Sequence, residues 1–269
     1  MKHTLAFLLI AFAVSCAKAQ EQSIKQIDAR LARYLNRIIC LDRCQNCDTT
    51  GVDYSDSIQH VNDQLYAYMR KVFEANPATL TADFKHAKKN GLDYVTSEDG
   101  NLRFYDWDME TGGTMHFFMD VAEYKTDAGV KVVAKYDGET GFNGCYYHQH
   151  PGIAAIHAKD KTVYVTTFGS IGSNQDEAMG IAAYALENNT LIRVPFFRVK
   201  KKLKDHIDLG YNRFAGTYGN DLDNEPEIHL SGDKQKLYIP IKNKNDGLTK
   251  RFTIYEFDGE SYVLVKGSR

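Results

Sequence analysis

From Leu92 onward the chain is written as short alternating, β-branched and aromatic runs separated by Asp, Gly and Asn turns, and this pattern limits the fold more than any other feature. The spacing predicts strands over Asp93–Thr96, Leu102–Trp107, Thr114–Tyr124, Val130–Tyr136, Ile153–Ala158 and Thr162–Phe168. Further strands are predicted over Met179–Leu186, Leu191–Phe197, Glu227–Leu230, Lys236–Ile241, Arg251–Phe257 and Tyr262–Val265. No helical stretch long enough for a parallel crossover separates them, so the sheet should be mostly antiparallel. The 17 Tyr and 14 Phe against only 5 Pro fit that reading. Aromatic side chains suit a pleated surface, and proline would interrupt the ladders.

The segment before Leu92 is different. Ile24, Ile27, Leu31, Tyr34, Leu35 and Ile38 recur at helical spacing and predict a helix over Ser23–Ile39. A polar connection through the cysteine segment and Asp48–Asp53 should come next. Asp56 or Ser57 is placed to cap a second helix that runs to Phe73, with Ile58, Val61, Leu65, Met69 and Val72 as its stripe. A third, shorter helix is expected over Leu80–Lys89, closed by Asn90-Gly91. The expected organisation is a leader over 1–19, a helical segment over 20–90 and an antiparallel β domain over 91–269. The fold class is mainly β with N-terminal helices (α+β), built as an antiparallel β-sandwich or twisted sheet. The alternative is a propeller-like array of hairpins, because a faint repeat is visible. Ser97-Glu98-Asp99-Gly100, Lys159-Asp160-Lys161 and Ser231-Gly232-Asp233 each precede a Tyr-bearing strand.

The first 19 residues read as an export signal. Met1-Lys2-His3 is followed by the apolar run Leu5–Val14, which is too short to span a bilayer. Ala17-Lys18-Ala19 is an A-x-A cleavage site; Ala13-Val14-Ser15-Cys16 competes with it as a lipobox that would make Cys16 a lipidation site. Cleavage after Ala19 removes Lys2 and Lys18 and moves the formal charge from -2 to -4. A near-neutral, slightly acidic chain lacks the basic footprint of a nucleic-acid binder. The expected location is the periplasm, the outer membrane through a lipid anchor, or the exterior, with contact to a membrane only through that anchor.

Export implies an oxidising compartment, so Cys40, Cys44, Cys47 and Cys145 are disulfide candidates, with three pairings open. The C-x3-C-x2-C spacing also matches the cluster motif of radical-SAM enzymes. That motif normally follows an early strand of an α/β barrel, and here it follows an amphipathic helix.

Two places have metal-ligand chemistry. In a strand, His148 and His150 point to one face, as two zinc ligands would. Asp221 and Asp223 belong to an alternating acidic stretch of the kind that binds calcium, although Pro226 and Gly232 stand where an EF-hand needs Gly and Glu. A second acidic stretch runs from Asp106 through Asp108 to Glu110. No G-x-S-x-G, H-E-x-x-H or phosphate loop occurs. The lysines over Lys200–Lys204 read as a solvated loop or a contact for an anionic surface.

The stretch from Ser97 to Asp108, followed by Gly112-Gly113-Thr114-Met115-His116, resembles exported proteins and lipoproteins of Bacteroides-type bacteria. The resemblance implies an envelope location and no particular activity. The favoured reading is a non-catalytic envelope module that binds a glycan or an envelope protein through Tyr105, Trp107, His116, Tyr146 and Tyr147, whose rings suit such contacts. The alternative is an envelope hydrolase using Asp106, Asp108 or His148 with His150, metal-dependent in one version. No cofactor is required by the first reading; calcium or zinc belongs to the second.

Overall fold

The computed structural model of the chain describes residues 22–134, 152–217 and 225–265. Helices α1 (Ile24–Cys47) and α2 (Ser55–Ala75) come first, then a 3-10 turn (Pro77–Thr81) and the single-turn α3 (Lys85–Lys88). Strands β1 (Asp93–Thr96), β2 (Leu102–Asp108), β3 (Phe118–Thr126) and β4 (Gly129–Ala134) follow. Next come β5 (Ala154–Ala158), β6 (Lys161–Ile171), β7 (Asp176–Glu187) and β8 (Thr190–Arg193). The last are β9 (Phe197–Val199), β10 (Lys202–Lys204), β11 (His206–Asn212), β12 (His229–Leu230), β13 (Lys236–Lys242), β14 (Leu248–Phe257) and β15 (Tyr262–Leu264). The protein is mainly β with N-terminal helices, and its sheets form no closed barrel among the described residues.

Three sheets form, with strand orders β1-β2-β3-β4, β11-β7-β6-β5 with β8 also on β7, and β10-β9-β15-β14-β13-β12. The pairings between these strands are antiparallel except that of β9 with β15. The layers follow from the alternation of side chains. Tyr105, Trp107, Met119, Val121, Val130 and Val132 of the first sheet share a core with the apolar stripes of α1 and α2. The other face of the same sheet, with Leu102, Phe104, Ala122 and Tyr124, packs on Tyr164, Phe168, Ala182 and Tyr184 of the second. The far face of the second sheet, with Val163, Val165, Met179 and Ile181, packs on Leu237, Ile239, Tyr255 and Tyr262 of the third. The order is therefore helices, sheet, sheet, sheet. The helices and the first sheet share one core, so the change at residue 91 is a change of secondary structure within a packed unit.

The faint repeat has a structural counterpart: each sheet contains a hairpin turned at one of the three Asp-bearing segments, β1–β2, β5–β6 and β12–β13. The first and third turns use the same bonds. Ser97 Oγ donates to Asp99 Oδ1 (2.6 Å) and accepts from Leu102 N (3.0 Å); Ser231 Oγ donates to Asp233 Oδ1 (2.5 Å) and accepts from Lys236 N (2.9 Å). These turns supply locally the partners that the tip of a hairpin lacks.

Several expectations need correction. α1 starts where expected, at a capping box in which Ser23 Oγ accepts from Gln26 N and Gln26 Oε1 accepts from Ser23 N. It does not end at Ile39 but continues to Cys47, because Leu41 still packs on the core and no breaker intervenes. α2 starts at Ser55, with no side-chain cap from Asp56 or Ser57. The expected third helix splits into the 3-10 turn and α3. Asp28 on α1 reaches across to accept from His86 N (3.0 Å) and Ala87 N (2.8 Å), and so holds the start of α3. The strand expected from Thr114 begins at Phe118, after a tight loop. The strand expected over Leu191–Phe197 is split at Pro195, β10 lies in the expected lysine loop, and β11 is a strand that the spacing does not predict. β10 is an exposed edge strand, and lysines on such an edge discourage pairing with other chains.

A buried polar cluster ties the helical segment to the first sheet. Arg103 and Glu123 are register partners on β2 and β3. The Arg103 guanidinium donates to the carbonyls of Ala82 (2.6 Å) and Thr79 (3.1 Å), and its Nε to Thr96 Oγ1 (2.6 Å). Glu123 accepts from Thr79 Oγ1 (2.6 Å) and from the Tyr105 hydroxyl (2.5 Å). Burial pushes the Glu123 carboxyl up from 4.5 to about 7 against these donors and the Arg103 charge. A raised pKa in the folded state means that the fold binds the proton more tightly than the open chain. Stability should therefore fall as pH rises from about 4.5 to about 7 and level off above that, and Glu123→Gln should flatten this window; urea unfolding at stepped pH measures it. Between the first and second sheets, a Cβ on Gly180 would lie 2.2 Å from the ring of its register partner Phe168. Gly180→Ala should push that buried ring out of place and cost about 1–3 kcal/mol in the same assay.

Candidate functional site

A polar cleft lies between the last turns of α1 and the loop joining β2 to β3. It has a volume of about 350 Å³ and is lined by Asp42, Gln45, Asn46 and Ser55 from the helical side and by Asp108, Glu110, Thr111, Gly112, Gly113, Met115 and His116 from the loop. The loop is fixed at its base. Trp107 Nε1 donates to Asn62 Oδ1 (2.7 Å), and Asn62 Nδ2 donates to the carbonyls of Met109 and Ile58 (both 3.0 Å). Met109 N donates to Phe117 O (2.8 Å), which closes the loop. Inside it the chain turns so tightly that a Cβ on Gly112 would lie 1.9 Å from the Met115 carbonyl oxygen, so the position requires glycine. Glu110 adopts a positive φ of 54°, held there while its N–H donates to Asp108 Oδ1 (2.9 Å).

Asp108 Oδ2 accepts from His116 Nδ1. A carboxylate on Nδ1 fixes the imidazole plane and leaves Nε2 as the nitrogen available to a ligand. His116 also stacks near Phe118, with ring centroids 6.3 Å apart, and its N–H donates to Ile171 O (3.1 Å) of β6, so the second sheet helps to position it. Across the cleft Asp42 accepts from Asn46 Nδ2 (2.9 Å). Burial, and then the charges of Asp108 and Asp42, push the Glu110 carboxyl above its ordinary value, with His116 opposing. Three carboxyl groups and one imidazole thus converge on a small polar space. Such a set binds amines and sugar hydroxyls, and it also has the ingredients of acid–base chemistry. Among the described residues no group of three or more His, Cys, Asp or Glu side chains is arranged to hold a metal ion.

Of the residues singled out by sequence, His116 lines this cleft. Tyr105 and Trp107 do not reach any surface: they are 0% and 1% exposed, and they face the helices as part of the shared core. The expectation that they contact a partner is therefore corrected. β2 is covered on both faces, so alternation cannot bring either of its sides to solvent. Cys40, Cys44 and Cys47 are exposed free thiols, and no disulfide forms among them. They stand at i, i+4 and i+7 of α1, where Cβ atoms three or four residues apart are about 5–6 Å from each other and those seven apart are about 10 Å. A disulfide needs about 3.5–4.5 Å, so pairing within the helix would require it to unwind. Cys16, Cys145, Tyr146, Tyr147, His148, His150, Asp221 and Asp223 lie outside the described residues. Asp42, Gln45 and Asn46 escape sequence reasoning, because their segment reads as a polar connection. Extending the helical spacing beyond Ile39 is the signal that finds them.

Comparison with protein-family models, with curated proteins and with solved structures finds no match.

Asp108 accepts both the Glu110 amide and His116, so Asp108→Ala should loosen the loop while the core beneath stays folded. Amide exchange at Glu110 should accelerate, with a loss of about 1 kcal/mol in unfolding free energy. Protection at Trp107, deeper in β2, should be unchanged.

Proposed function

We propose that the protein is an exported envelope protein of the Bacteroides type whose cleft under the β2–β3 loop binds a glycan carrying hydroxyl and amino groups. The observation that carries this reading is the convergence of Asp42, Asp108 and Glu110 with His116 in one cleft of about 350 Å³. Its volume falls within the range of small-molecule sites, while its polar lining suits a sugar better than an apolar ligand. An excess of carboxylates favours a cationic amine, and Gln45 and Asn46 add donors and acceptors for hydroxyls. The export signal and the resemblance around Ser97–His116 support the envelope location.

A hydrolase is the second reading. It is favoured by the Asp108–His116 pair standing beside a carboxyl group whose proton is held above the ordinary range, the arrangement of a base next to an acid.

Titration of the mature chain with glucosamine oligosaccharides by calorimetry, with product analysis by chromatography, tests both. Asp42→Asn and His116→Ala should each weaken binding tenfold or more, about 1.4 kcal/mol. Binding of the amine should also weaken as the pH is lowered and Glu110 takes up its proton. Unchanged affinity in both variants overturns the binding reading. Cleavage that disappears in Glu110→Gln replaces it with the hydrolase.

A further inference from the structure

We propose that the groove between α1 and α2, at the opposite end of the helix pair from the acidic cleft, is a second ligand site that takes a sugar bearing a carboxylate. The groove has a volume of about 610 Å³, and the ionisable side chains of its wall are Arg30 and Lys71 together with the tyrosines Tyr34 and Tyr68; among the described residues no carboxylate lines it. Twelve residues of α1 separate Arg30 from Asp42, about 18 Å of helix axis, so the two sites are distinct.

The tyrosine rings lie with centroids 5.7 Å apart and planes at 41°. The Arg30 guanidinium carbon stands 4.8 Å from the Tyr68 centroid and 6.0 Å from that of Tyr34. Among the described residues this cation is therefore held by tyrosines and not by an acid, and it keeps N–H groups for a ligand. A planar guanidinium recognises a carboxylate with two parallel hydrogen bonds, and Lys71 adds a point charge on the other helix. The Tyr68 hydroxyl donates to Gln22 Oε1 (2.8 Å), and Asn76 Nδ2 donates to Gln22 O (3.0 Å), which sets both the ring and the end of the groove. Tyrosine faces suit the C–H faces of a pyranose, and the Gln64 amide can serve its hydroxyls. Charge chooses between glycans: among the described residues the walls carry cations and no acid, which disfavours the amino sugar proposed for the cleft and favours a uronic acid.

The test is a titration of the mature chain with a hexuronic acid trisaccharide, with its methyl ester and with inorganic phosphate. The acid should bind, the ester should bind at least tenfold more weakly, and phosphate should not compete. Arg30→Gln, at an exposed position, should weaken the acid tenfold or more, and Tyr34→Ala should weaken acid and ester alike. Asp42→Asn should leave this binding unchanged, which separates it from the cleft. Absence of binding, equal binding of ester and acid, wild-type affinity in Arg30→Gln, or full competition by phosphate overturns the proposal, the last in favour of a simple anion or phospholipid-headgroup site.

Discussion

The first sheet has no free face, and the rest of the structure depends on that condition. Its strands are pressed by two helices on one side and by a second sheet on the other. Each large side chain removed from water there contributes about 1.5–3 kcal/mol, and that burial is what selects the layer order. Apolar packing is poorly directional, however, and would allow the helices to slide. The cluster around Arg103, Glu123, Tyr105 and Thr79 prevents this by fixing the 3-10 turn to β2 and β3 with bonds that have only one register. Losing one member would leave buried polar groups without partners, which costs more than the bond itself stabilises.

The same arrangement makes the cleft. Asn62 sits in the middle of α2 and spends its amide on Trp107 and Met109, so the helical layer dictates where β2 stops being a strand. Beyond Met109 the chain must turn back within a few residues, and Gly112 allows it. Asp108, Glu110 and His116 are then grouped at the rim, facing the last turns of α1. The length of that helix, which the cysteine segment concealed, brings Asp42 opposite them. Polar chemistry is thus collected at both ends of the helix pair with opposite sign, acidic toward the β2–β3 loop and basic toward the start of α1.

Much of this architecture was legible beforehand. The switch near Leu92 from a period of about 3.6 to a period of 2 separated helices from strands, because the two periods expose different faces of the chain. The Ser-x-Asp turns marked hairpins in the first and third sheets, because their bonds are local and need nothing else in the fold. Pro195 and the lysines of β10 were harder. A proline can interrupt a strand without ending the sheet, and an edge strand has no apolar face to betray it. The site was legible in part. His116 and the alternating acids Asp106 to Glu110 were visible as a pattern, but only Asp108 and Glu110 turn toward the cleft, whereas Asp106 is buried in register with Asp120.

By itself the sequence determined where most helices and strands fall and that the sheets are mostly antiparallel. Those properties depend on side chains close together in the chain, and local sterics and periodicity decide them. Only the tertiary structure decided that Tyr105 and Trp107 are core and not contact surface, and that Asp42 meets His116. Which face of a strand is covered depends on layers contributed from elsewhere in the chain, and the polar residues Arg103 and Asp106 on β2 hide the fact that both of its faces are buried.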